Sequence, residues 1–157
     1  MKVFISHKKE DSADALRVKD AFDRMRVESY LDVLDAAIDD GGEALTEHIK
    51  EKLNECTDII VVMSEATKKS WWVPFEIGMA AQIDLPTASF LTEAVQLPDY
   101  LEYWPRLKSI SDVATYVAVR KHVAEQIQKR FQYTYTESVY RPIETYTFYN
   151  ELKRRLR

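Results

Sequence analysis

The chain has 157 residues, 46% hydrophobic and 31% charged, with a formal net charge of −4. That length suits a single domain with a real core, and a mildly acidic balance with scattered Lys and Arg offers no basic field to a nucleic-acid backbone. No apolar run approaches the roughly 18 residues of a membrane span, and Val3-Phe4-Ile5 passes directly into polar residues rather than a signal-peptide core, so a cytoplasmic protein is expected.

Lys2 to Ser6 reads as a short apolar strand. The helix after it starts near Asp11 or Ser12, either of which suits a cap, and Ala15, Val18, Phe22 and Met25 form its apolar stripe. Glu28 to Leu34 is a second strand, and the acids and paired glycines of Asp35 to Gly42 mark a loop. Leu45, Ile49 and Leu53 define an amphipathic helix. Thr57 to Ser64 is a continuous, β-branched run, the pattern of a strand buried on both faces. The next helix carries Trp72 and Glu76, with Pro74 tolerated in its first turn. Its Val73, Ile77, Ala80 and Ala81 make a small-residue face for close approach to a sheet, and Trp71 is the expected core partner. Thr87 to Leu91 is a fourth strand, Leu107 to Ile110 a weak fifth, and a helix runs from about Asp112 to Phe131. Cys56 stands alone, which excludes an internal disulfide and fits a reducing compartment; His7, His48 and His122 lack the spacing of metal ligands.

Five strands alternating with helices predict an α/β, flavodoxin-like, doubly wound parallel sheet covered on both faces, because parallel crossovers need helices and are right-handed, and the expected strand order is 2-1-3-4-5. Strands one and three are then neighbours, and a crevice opens where Ser6-His7-Lys8 and Ser64 leave them. Trp72 and Glu76, four apart, share a helix face that looks into this crevice. An indole there can hold a flat heterocycle, and the carboxylate can place negative charge beside the attached sugar. A phosphoacceptor receiver needs paired acids after strand one, where this chain has His7, Lys8 and Lys9. A flavodoxin needs a Ser/Thr/Gly-rich phosphate loop, which Lys8-Lys9-Glu10-Asp11-Ser12 is not. A nucleoside deoxyribosyltransferase, with its carboxylate beside an N-glycosidic bond, survives as a chemical relative.

Three segments in order carry a resemblance to a known family: VFISHKKED at Val3 to Asp11, Leu34-Asp35 with Gly41-Gly42, and SWWVPFEIGMA at Ser70 to Ala80. Together they resemble a Toll/interleukin-1 receptor (TIR) domain over roughly residues 1–131. Residues 132–157, with Tyr133, Tyr135, Tyr140, Tyr146 and Tyr149, are expected to form an extension packed on or beside it, to which the resemblance assigns no function.

The resemblance implies either of two activities, since some TIR domains only assemble signalling scaffolds while others cleave the nicotinamide–ribose bond of NAD. It places the catalytic glutamate at Glu76 and favours the enzyme, with NAD as substrate and neither cofactor nor metal. Trp72 is assigned base stacking, Ser6, His7 and Lys8 the adenosine or phosphate side, and Ser64 the crevice edge. Gly41 and Gly42, beside Asp39, Asp40 and Glu43, are assigned a gate or an assembly contact between copies. With its first strand beginning at residue 3 and only a short tail after the last helix, the chain is similar to stand-alone bacterial TIR proteins such as the TIR subunit of Thoeris antiphage systems. The expected product is ADP-ribose, a cyclic isomer or a conjugate, acting on a separate effector protein.

Overall fold

The computed structural model describes residues 1–31, 42–131 and 137–156. Its centre is a five-stranded parallel sheet of order β2-β1-β3-β4-β5, formed by β1 (Lys2–Ser6), β2 (Glu28–Leu31), β3 (Asp58–Met63), β4 (Thr87–Leu91) and β5 (Arg106–Leu107). The helices are α1 (Ser12–Arg24), α2 (Gly42–Glu55), α3 (Trp72–Gln82), α4 (Ile110–Phe131) and α5 (Glu137–Arg155). This is the flavodoxin-like α/β arrangement the alternation predicts.

Strand periodicity divides the core in two. Val3, Ile5, Ile60, Val62 and Phe90 point to the face covered by α1, α4 and α5; Phe4, Ile59, Val61 and Met63 point to the face covered by α2 and α3. Every residue of β3 is buried, because it lies between β1 and β4 with helices on both sides. β1 and β3 run in register from Val3 opposite Asp58 to Ser6 opposite Val61, so the ends of both strands open onto one sheet edge.

Several expected boundaries shift. The third strand is one residue shorter at each end than the apolar run. The second is described to Leu31, so Leu34, Asp35, Asp39, Asp40 and Gly41 lie outside the described residues. The fifth strand is Arg106–Leu107 rather than Leu107 to Ile110, and the reason is a cap. Ser109 Oγ accepts from Asp112 N at 3.2 Å while Asp112 Oδ2 accepts from Lys108 N at 2.7 Å, so the chain is committed to α4 from Ile110 onward.

The C-terminal residues form α5, which the tyrosine-rich composition did not announce. Thr145, Phe148, Tyr149 and Leu152, at three-, four- and seven-residue offsets, make its buried stripe. Polar side chains fasten it to the turn after α3. Tyr149 Oη accepts from Thr87 N at 2.8 Å, Thr145 Oγ1 donates to Asp84 O at 3.2 Å, and Arg141 Nη1 donates to Ile83 O at 3.3 Å. Burial pushes the Tyr149 phenol up to about 12.

At the N-terminal end of the sheet Asp58 is fully buried and receives Arg120 Nε at 2.6 Å and Tyr116 Oη at 2.8 Å on one oxygen, and Thr57 Oγ1 at 2.6 Å on the other. Arg120 continues to Glu144 of α5 through Nη1 at 2.6 Å. Among the described residues no helix is long and apolar enough to cross a membrane.

Candidate active site at the β1–β3 edge

The buried positions of α3 are Val73, Glu76, Ile77 and Ala80, at offsets of three, four and seven from the first. A glutamate therefore sits inside an apolar stripe, and its accessible surface is 0%. An isolated glutamate on a helix is ordinarily solvated; burying one is costly without polar partners. Ser6, the last residue of β1, supplies one by donating its hydroxyl to Glu76 Oε2. The small-residue face expected of this helix is corrected in one place: Ala81 is exposed, and Glu76 takes a place on the buried side.

Ser70 fixes the start of α3. Its Oγ accepts from Trp72 N and Val73 N, each at 3.3 Å, which satisfies two of the otherwise orphaned first-turn donors. Trp71 is 92% exposed, so its expected place in the core is overturned. It precedes the first helical turn, and the buried stripe starts two residues later at Val73. Trp72 is half-buried against the core cluster shared by α2 and α3, with its ring edge-on to Phe75 at 5.9 Å and 80°. It lies one turn before Glu76 on the same helix.

The other residues of the crevice divide in role. His7 is buried, with Nε2 3.3 Å from Ser12 Oγ. Lys8 pairs its ammonium with Glu10 at 2.8 Å and donates its backbone N–H to Thr67 Oγ1 at 3.3 Å. Ser64 donates its hydroxyl to Asp11 Oδ2 at 2.6 Å and accepts from Ala66 N at 3.0 Å. Thus Ser6 meets Glu76, while Ser64 and the Lys8 backbone join a network centred on Asp11. Asp11 occupies the residue before α1, yet its side chain makes no capping bond; Ser12 Oγ donates instead to Lys9 O at 2.7 Å. The signal that distinguishes Asp11 from a cap is the pair of hydroxyls fifty-odd residues downstream, which no local pattern exposes. Gly42 opens α2, with nothing within 4 Å of where a Cβ would stand, so a side chain there meets open space. Gly41 lies outside the described residues.

Burial pushes the Cys56 thiol up to about 11, which holds it as the neutral thiol near neutral pH. Among the described residues no group of three or more His, Cys, Asp or Glu is placed to hold a metal ion.

The sequence profile of the TIR domain matches residues 3–132. The chain belongs to the TIR domain family. No curated protein matches it by sequence. In this TIR domain the matched segment runs from β1 to the end of α4 and contains Ser6, Asp11, Ser64 and Glu76, whereas α5 lies beyond it. As a class, TIR domains cleave NAD or act as signalling scaffolds, and they generally self-associate.

The Ser6 contact carries a first expectation. Ser6→Ala removes a donor from a carboxyl group that has no access to water, so unfolding free energy should fall by about 1–3 kcal/mol. Urea titration reads this directly; unchanged stability would show that the hydroxyl is dispensable to Glu76.

Proposed function

We propose that this TIR domain cleaves the nicotinamide–ribose bond of NAD, with Glu76 as the catalytic carboxylate. The observation that carries the reading is a glutamate held inside an apolar helix stripe at the topological switch point of the sheet, oriented by a hydroxyl from the end of β1. Nicotinamide leaves as a neutral molecule from a cationic pyridinium, and the ribose it leaves becomes oxocarbenium-like. Such a step needs a fixed negative charge beside C1 of the sugar, and a carboxylate in dry surroundings supplies more stabilisation than one in water. Ser6 holds that carboxylate in one orientation. Trp72, half-buried one turn earlier, is assigned to stack on a base, and the Lys8 ammonium is assigned the phosphates. His7 and Ser64 shape the crevice.

The nucleophile decides the product. Water at the ribosyl carbon gives ADP-ribose, a ring nitrogen of the same molecule's adenine gives a cyclic isomer, and a separate nucleophile gives a conjugate. Any of the three can serve as a soluble signal to a separate effector, the arrangement of bacterial antiphage immunity in the cytoplasm. Because Glu76 has no accessible surface, substrate reaches it only after the site opens, which makes activity conditional. Contacts between copies are the proposed trigger.

The scaffold reading is favoured by a different observation, the exposure of Trp71 and Phe75 beside a closed Glu76. Purified protein incubated with NAD across a hundredfold concentration range separates the two. Free nicotinamide and an ADP-ribose-derived product by mass spectrometry, with specific activity rising with concentration, are expected; intact NAD at every concentration would leave the scaffold.

A further inference from the structure

Two loops leave the C-terminal edges of neighbouring strands β1 and β3, and one buried carboxylate joins them. Asp11, 8% exposed, accepts on Oδ2 from Ser64 Oγ at 2.6 Å and from Thr67 Oγ1. Each hydroxyl that donates to Asp11 accepts a backbone N–H in return. Ser64 Oγ takes Ala66 N at 3.0 Å and Thr67 N at 3.2 Å, and Thr67 Oγ1 takes Lys8 N at 3.3 Å. Asp11 N donates to Lys8 O at 2.8 Å. The backbone N–H groups can only donate, so each hydroxyl oxygen accepts from an amide and turns its own proton to the carboxylate, which accepts both.

The network continues into α3. Thr67 O accepts from Ser70 N at 2.9 Å, and Ser70 Oγ caps the helix that carries Glu76. On the other loop, the β1 end supplies Ser6, which donates to Glu76. Asp11 thus stands where the route to Glu76 through Thr67, Ser70 and α3 meets the route through β1 and Ser6.

We propose that Asp11 is a positioning residue that sets the distance between the β1 end and the start of α3, and so aligns the Ser6–Glu76 pair. The proposal rests on the reading of Glu76 as catalytic for its kinetic consequence, but not for its structural one. Carboxylates at such sites act only when held in place, and a misplacement of about 1 Å can cost roughly 10²-fold in rate.

The test uses Asp11→Ala and, as a milder change that keeps volume, Thr67→Val in the full chain. Hydrogen–deuterium exchange is read first, because it needs no substrate. Both variants should lose amide protection together at Lys8 to Asp11 and at Ser64 to Val73, two segments far apart in sequence, while β4 and α4 keep theirs. With NAD, kcat at saturating substrate should fall about tenfold or more because the carboxylate is misaligned, and KM should rise as well, because Lys8 and Trp72 lie within the loosened segments. Loss of protection confined to one segment in both variants would overturn the clasp, and so would wild-type kcat in a variant that cleaves NAD. If Asp11→Ala does not fold, Thr67→Val alone decides by the same two readouts. A wild-type protein that leaves NAD intact but shows the joint loss of protection would refute the assigned reaction and uphold the clasp.

Discussion

Arg120→Ala should be the most destabilising single substitution in the ion network beneath the sheet, at about 3–5 kcal/mol. Asp58 is wholly buried at the start of β3, and the guanidinium gives it a 2.6 Å bond while tying it to Glu144 of α5. Burial draws the guanidinium down, but the charge and hydrogen bond of Asp58 outweigh that and hold it above the usual arginine range. Burial, then the charge of Asp58, likewise pushes the Tyr116 phenol well up. Deleting the cation leaves one dry carboxylate with only neutral donors and also removes the stack on Phe148, whose ring centroid is 5.2 Å from the guanidinium carbon. Equilibrium unfolding in urea measures the loss. A change below about 1 kcal/mol would show that Asp58 does not depend on this partner. The network lies at the strand N-termini, opposite the Ser6 edge, so turnover per folded molecule should be unaffected.

The sheet was legible because its signals are local. The unbroken β-branched run of β3 and the turn-bounded runs of β1 and β4 mark the strand positions, and the alternation with helices marks the sheet as parallel. β5 was misplaced because two residues carry no periodicity, and its end is set by the Ser109–Asp112 cap. α5 was overlooked although its buried positions obey helical spacing. Five tyrosines blur that spacing, and the backbone partners of Thr145 and Tyr149, Asp84 O and Thr87 N, are groups that sequence does not bring into view.

The candidate site was legible in part. Helical spacing puts Glu76 on the stripe of Val73, Ile77 and Ala80, so its burial was readable, but the partner that makes it tolerable comes from Ser6, seventy residues away. Trp71 was misplaced in the core because adjacent aromatics differ by about 100° around a helix, and Trp71 stands before the first turn of α3 while the buried stripe starts at Val73. Asp11 matched a cap by residue type and position, yet a carboxylate with two hydroxyl donors across the strand gap is held by tertiary contacts rather than by the first turn of α1.

The most direct test of the account is the rate of nicotinamide release by Glu76→Gln beside wild type. Glutamine keeps the volume and an oxygen for Ser6 but removes the charge, so the fold should survive while the oxocarbenium-like transition state loses its counter-charge. Removing one preorganised group of this kind typically costs on the order of 10²–10³ in rate. The account predicts a folded Glu76→Gln protein, matched to wild type in circular dichroism and melting, with nicotinamide release lowered by that factor; a folded Glu76→Gln protein that releases nicotinamide at the wild-type rate would contradict it.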